Sequence, residues 1–414
     1  EHQRADRKRA GRVAMAQLAD PAGTARRLLL RQQRGLDDPA LGAARLTPYP
    51  AVIASPLGTP TRGVADAGSA ISGGENANSP RWDDRRFQYL GAAPVSVTLG
   101  TPTYGRCETW VEQTVVNQAM WSVEIMADCR YVEFIHTNPN SGFFKLWIDG
   151  QPATETAWAG PSSTTAQYRE LIDLGGRAVR HLLFEMSGQT YFRGLAHEMT
   201  GAMWEVPHPK PPPVTFLTDS FGDYVSGVYD PMDAWPVYCA RVLGWRNIYR
   251  LAQGGTGYLN SGSTGKRTFV NRVSDIPSDT SLVVVQGSTN DAGLDSPAGT
   301  LATAATALYS AIRTRVPVAR LVVVLPFEFG QNQQASVAAL RTAIQPVAAT
   351  YADLVIDPGG ESGQWTTGNG RVGATDGAGS ADLYRHSDNL HPTVAGARYF
   401  GRKVAARIAA ELPL

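Results

Sequence analysis

Four short segments carry side chains able to move protons or hold developing charge. The first is Val214-Thr215-Phe216-Leu217-Thr218-Asp219-Ser220-Phe221-Gly222-Asp223, an apolar run that ends at a serine and a turn. A serine there exposes its hydroxyl at a sheet edge, beside the amides of the next segment, although the same residue type also serves as a helix N-cap. The second is Asp388-Asn389-Leu390-His391-Pro392, just before a helix-like stretch. Three residues on a tight loop let the Asp388 carboxylate reach His391 Nδ1. That contact fixes the tautomer and supports the imidazolium formed when Nε2 takes a proton. A capping aspartate beside a surface histidine is the plainer alternative.

The third segment, Gln286-Gly287-Ser288-Thr289-Asn290-Asp291, again follows a strand-like run. Gly287 allows close backbone approach, and the Asn290 amide is either a donor to a developing oxyanion or only a turn former. The fourth, Gln253-Gly254-Gly255-Thr256-Gly257, offers an unencumbered backbone amide, and lacks the lysine spacing of a phosphate-cradling loop. Together these groups suit acyl transfer through a serine nucleophile, a reaction that calls for no metal or organic cofactor. His136, His181, His197, His208 and His386 lack spaced metal partners, so no metal site is expected. His386 passes for the base only if the Asp388–His391 pairing is ignored.

The elements that must position these groups follow from the pattern of the chain. Its 414 residues are 43% hydrophobic, enough for two or three domains. A net charge of +1 with 18% charged residues provides no field for gathering nucleic acid, so no nucleic-acid partner is expected. No apolar run has the length of a membrane span. The basic start is followed by an apolar stretch broken at Asp20 and Pro21, a poor signal peptide. The chain opens at Glu1 rather than Met, so removal of an upstream segment is expected. Cys107, Cys129 and Cys239 lack metal-ligand spacing; Cys107 and Cys129 either pair or, as we favour, stay free thiols.

Residues 1–80 read as a helix-prone segment followed by an extended arm rich in Pro, Gly and Ala. Residues 81–206 carry short β-prone runs at 95–99, 121–126, 131–136, 143–148, 169–174, 181–186, 191–197 and 202–206, which predict an antiparallel sandwich or jelly roll. Trp82, Trp110, Trp121, Trp147, Trp158 and Trp204 cluster in this half, either as core or as a surface for sugar rings. A polyproline stretch, 207–213, spaces it from residues 214–414. There, strand runs at 214–218, 247–252, 282–286, 320–326 and 354–357 alternate with helices at 234–243, 299–315, 334–351 and 393–412. That alternation predicts a parallel sheet between helical layers, an α/β fold with active groups on loops at the strands' carboxyl ends.

Strand–Ser, strand–Gly, strand–Gly-x-x-Asn-Asp and a final Asp-x-x-His-Pro occur here in the order of the blocks of the SGNH (GDSL-like) hydrolases, which the second half resembles. The usual Gly-Asp-Ser opening reads Thr218-Asp219-Ser220. The resemblance implies a catalytic triad of Ser220, His391 and Asp388, and an oxyanion hole from the Ser220 and Gly255 amides and Asn290. Asp219, Gly287 and Asp291 would support them. A β-sandwich ahead of such a domain resembles two-domain carbohydrate esterases, implying an acylated polysaccharide or cell-envelope glycan as substrate, acetyl being the expected acyl group; the expected setting is extracellular or, on the attachment reading below, virion-associated. An esterase or lipase for lipid or small esters is the alternative. A third reading takes residues 1–80 as an attachment segment, forming a homo-oligomer or a larger assembly such as a phage tail, with an envelope-directed esterase or a vestigial binding domain.

Overall fold

The computed structural model describes residues 61–64, 79–92, 94–98, 103–107, 120–138, 142–154, 156–160, 167–187, 190–223, 231–292, 294, 298–330, 335–360 and 365–412. The helix-prone start and most of the arm lie outside them. In the first half the strands are β1 (Thr61–Val64), β2 (Gln88–Leu90), β3 (Pro94–Thr98), β4 (Thr103–Cys107), β5 (Met120–Thr137), β6 (Phe143–Ile148), β7 (Gln151–Pro152), β8 (Trp158–Ala159), β9 (Tyr168–Ser187), β10 (Tyr191–His197) and β11 (Ala202–Trp204).

All are joined by hydrogen bonds into one antiparallel sheet whose main path runs β3-β4-β10-β5-β9-β6-β7. Two expectations change. The runs 121–126 and 131–136 are halves of the single strand β5, and 169–174 and 181–186 are halves of β9. Their middles read as breaks because they are polar, yet the ladder continues through a bulge between Cys129 and Tyr131. Cross-strand pairs Arg130–Asp173 (2.9 Å) and Arg177–Asp128 (2.8 Å) stand where apolar residues would otherwise mark a strand. The arm also contributes structure, since β1 pairs with β9.

The core of this sheet is aromatic: the Phe134 ring lies 4.6 Å from Phe144, 5.1 Å from Phe184 and 5.4 Å from Phe192. Trp121 and Trp147 are buried, as core residues, whereas Trp204 is exposed. Cys129 is a free, buried thiol, and burial pushes its pKa up to about 12.

After the polyproline stretch come β12 (Val214–Thr218), α1 (Trp235–Val242), β13 (Ile248–Ala252), β14 (Leu282–Gln286), α2 (Ala298–Arg315), β15 (Arg320–Val324), α3 (Ala335–Tyr351), β16 (Leu354–Ile356), α4 (Ala381–Tyr384) and α5 (Val394–Glu411). The five strands form a parallel sheet in the order β13-β12-β14-β15-β16. Alternate residues of buried strands face opposite layers. Leu217, Val283 and Val285 pack with Leu308 of α2 and Ile344 of α3. Phe216 meets Trp235 of α1 at 5.6 Å, which in turn meets Phe400 of α5 at 5.2 Å. The chain leaves β12 for β13 on one side and then crosses to β14 on the other. The carboxyl end of β12 is therefore the switch point where α/β sheets open a crevice.

The antiparallel sheet meets this domain through polar contacts. Gly91 N–H donates to Asn247 Oδ1 at 2.9 Å, and Asn247 Nδ2 donates to the Pro211 carbonyl at 2.7 Å. The fully buried Glu124 carboxylate accepts from Gln88 Nε2 (2.5 Å) and Arg246 Nη1 (2.5 Å), and its Oε2 lies 3.0 Å from His181 Nε2. With His208 these residues bring together a His-His-Glu set, all candidate ligand atoms within 4.8 Å, that sequence spacing had hidden. The Arg246 guanidinium already supplies the cation there, and the set fits an ion pair better than a metal.

Because Glu124 is buried and the Arg246 guanidinium is its permanently charged partner, Arg246→Ala leaves the carboxylate with Gln88, His181 and His208 alone. The expected loss is about 2 kcal/mol, discounted for the partial exposure of Arg246. Thermal unfolding checks this: the variant melts a few degrees below the wild type, and an unchanged midpoint contradicts the assignment.

Candidate active site

Ser220 is the second residue beyond β12 and is 7% exposed. The turn that presents it is held by Asp219, whose Oδ1 accepts the Phe221 N–H at 3.0 Å, and by Gly222 N–H to Asp219 O at 3.2 Å. Gly222 has to be glycine: a Cβ would come 2.2 Å from Thr218 Oγ1.

The loop after β13 lies beside this turn. A Cβ on Gly254 would sit 3.4 Å from Ser220 Cβ. The Gly254 N–H donates to Asp223 Oδ2 at 2.7 Å. Gly255 adopts φ +80°, open to glycine alone at low cost. Among the described residues no acceptor takes its N–H.

The loop after β14 closes on the same place. Gly287 (φ +146°) lets the backbone pass Asp219, since a Cβ would lie 2.7 Å from its Oδ2. Ser288 carries φ +96°, a strained value for a side-chain-bearing residue of the kind that gathers at functional sites. Asn290 Nδ2 donates to Thr256 O at 2.9 Å, leaving its second N–H. Asp291 is buried and acts as a hub, accepting from Tyr258 N–H (2.9 Å), Leu259 N–H (3.1 Å), Asn260 N–H (2.7 Å) and Ser288 Oγ (2.8 Å).

The last loop, ahead of α5, turns at Asn389 in the left-handed region, φ +69°. Asp388 Oδ1 accepts the N–H groups of Leu390 (2.9 Å) and His391 (3.0 Å), and its Oδ2 lies 2.8 Å from His391 Nδ1. Burial raises the Asp388 pKa, but these hydrogen bonds outweigh it and hold the carboxyl at about 2. The imidazole packs edge-on against Phe221, the neighbour of Ser220, at 6.0 Å between centroids. His386 lies farther from the same carboxylate, at 3.5 Å. The predicted Ser220, Gly255, Asn290, Asp388 and His391 thus converge on one end of the parallel sheet.

Three residues escaped the sequence reading. Arg272, 1% exposed, donates to Thr218 O (3.0 Å), Leu251 O (2.6 Å) and Thr256 Oγ1 (3.0 Å). Burial lowers its pKa to about 9, against the pull of Asp223 and Asp219. Asp223 holds Gly254 N–H, and Lys266 Nζ donates to Gly254 O at 2.5 Å. Only Asp223, three residues past the serine, carried any sequence signal.

Parallel strands ending in a serine turn, with an Asp–His pair on the loop ahead of the final helix, are an arrangement this α/β domain shares with SGNH (GDSL-like) hydrolases. Residues 217–399 match the GDSL-like Lipase/Acylhydrolase family. No curated protein matches the chain. Among solved structures, a family two carbohydrate esterase from Clostridium thermocellum, in complex with cellohexaose, is similar at TM-score 0.58 and 15% identity, covering 79% of this chain and 99% of its own. A salicylyl-acyltransferase from a tetracycline biosynthetic pathway gives 0.55 and 14%, covering 80% and 97%. An acetyl xylan esterase from Butyrivibrio proteoclasticus gives 0.51 and 11%, covering 86% and 99%. At these identities the likeness is one of fold, and it extends over both the antiparallel and the parallel sheet.

Asp219 offers a test of the site's electrostatics. It is fully buried, and burial, with the Asp291 charge adding to it, raises its carboxyl to about 7 despite the Phe221 amide and Arg272. A raised folded-state pKa stabilises the protein below the ordinary carboxylate range and loses that stability as pH rises through about 7. Urea unfolding at pH 4 and pH 8 should show Asp219→Asn lacking this part of the wild-type decline; identical pH dependence in the two proteins contradicts the shift.

Proposed function

We propose that the protein is a serine esterase that removes acyl groups, acetyl foremost, from a carbohydrate polymer. The observation that carries the chemistry is the Asp388–His391 pair at 2.8 Å, with its imidazole against the residue next to Ser220. His391 Nε2 takes the Ser220 proton as Oγ bonds to the ester carbonyl carbon, and the carbonyl oxygen becomes the oxyanion. The donors suited to it are the N–H groups of Ser220 and Gly255 and the Asn290 side chain. Gly255 rather than Gly254 takes this role because Asp223 already holds the Gly254 N–H at 2.7 Å. Collapse breaks the C–O bond, His391 gives its proton to the leaving alcohol, and an acyl-serine remains. Water, deprotonated by His391, then releases the acid and restores Ser220.

The carbohydrate assignment is supported by two-domain neighbours described as carbohydrate and acetyl xylan esterases. A polymeric substrate suits action outside a membrane, as a secreted or virion-borne protein, and among the described residues no helix is long and apolar enough to cross one. Attachment through residues 1–80 belongs to the same proposal.

The test compares acetate release from acetylated xylan with hydrolysis of 4-nitrophenyl palmitate. Acetate release should dominate and should fall at least about 10³-fold in Ser220→Ala. Preference for the long acyl chain overturns the carbohydrate assignment; undiminished activity in Ser220→Ala overturns the nucleophile.

A further inference from the structure

The Gly254–Gly255 peptide has the proposed oxyanion donor at one end and a cation at the other. Its carbonyl oxygen receives Lys266 Nζ at 2.5 Å, and its N–H is that of Gly255. The preceding peptide is fixed too, by Gly254 N–H on the buried Asp223 at 2.7 Å. Both peptide planes flanking Gly254 Cα are therefore held by charged side chains reaching in from different segments.

Lys266 is brought there by a closed excursion of the chain. Gly257 N–H bonds to Asn260 O (2.8 Å), Phe269 N–H returns to Gly257 O (2.9 Å), and Arg267 N–H bonds to Gln253 Oε1 (2.8 Å). Gly262, at φ +72°, leaves room for the lysine stem: a Cβ there would meet Lys266 Cδ at 3.2 Å. The side chain is partly buried, which limits the screening of its charge.

An ammonium bound to an amide oxygen draws electron density along the O–C–N unit and makes the N–H of the same amide more positive. Hydrogen bonds in such chains strengthen one another, and charged donors are the strongest members. The consequence falls mainly on the transition state, because the oxygen facing Gly255 N–H carries full charge only there. We propose that Lys266 is a positioning residue of the oxyanion hole: through the Gly254 carbonyl it orients and polarises the Gly255 N–H. This rests on the esterase reading and adds to it a residue that does not touch the substrate.

The experiment uses the full chain with 4-nitrophenyl acetate as substrate and phenylboronic acid as a probe, since the boronate forms a tetrahedral, negatively charged adduct with an active serine. In Lys266→Met, kcat should fall about tenfold and the boronate inhibition constant should rise by a similar factor, with KM within about twofold of wild type. Lys266→Arg, which keeps the cation, should recover most of both, and Lys266→Gln, which keeps a donor without charge, should fall between. A merely structural role would lower the melting temperature without moving boronate affinity and kcat together. If Lys266→Met does not fold, the Arg and Gln variants carry the comparison. Unchanged kcat and boronate affinity in folded variants overturn the assignment, as does a rise in KM alone. A wild type that neither hydrolyses the ester nor binds the boronate overturns the esterase reading as a whole.

Discussion

At the carboxyl end of a parallel sheet the ladder runs out, and the last strand carbonyls take partners from the loops and side chains around them. Here one buried guanidinium takes two of them. Arg272 bonds to Thr218 O, the last residue of β12, to Leu251 O, the last but one of β13, and to Thr256 Oγ1 in the glycine loop. A buried guanidinium is costly unless its donors are used and counter-charges stand nearby, and Asp223, joined by Asp219 once that carboxyl ionises, supplies them. The same two aspartates hold the Ser220 turn and the Gly254 amide. The constraint that makes the strand ends stable is thus also the one that sets Ser220 and the glycine loop side by side.

Beside it, Asp291 gathers three consecutive amides, those of Tyr258, Leu259 and Asn260, and the Ser288 hydroxyl, fixing the loop against which Asn290 leans. Gly222, Gly257 and Gly287 are required because Thr218, Asp291 and Asp219 occupy the space a side chain would need. Little in this arrangement is free to relax, in keeping with the preorganised donors that acyl transfer needs.

The readable parts of the sequence were those whose partners lie close in the chain. Asp388 and His391 sit three positions apart on one turn, and the parallel strands are short apolar runs bounded by loops, so both the pair and the α/β fold could be inferred. Arg272 could not, because its partners lie 54, 21 and 16 positions away and no local pattern marks it. Lys266 reads as one more surface cation until the fold of its loop is known. In the antiparallel half, the stretches 127–130 and 175–180 fall between the predicted strand runs, but cross-strand ion pairs carry β5 and β9 through this polar middle. The Glu124 cluster shows the same limit, since His181 and His208 meet it only after β9 and the proline-rich connection are in place.

The central claim is that the hydroxyl of Ser220 is activated by the imidazole of His391. Labelling with a serine-directed fluorophosphonate, followed by peptide mapping, tests it most directly. A single adduct on Ser220 is expected, formed at a rate that collapses in His391→Ala. An adduct on another residue, or equal labelling with and without the imidazole, would contradict it.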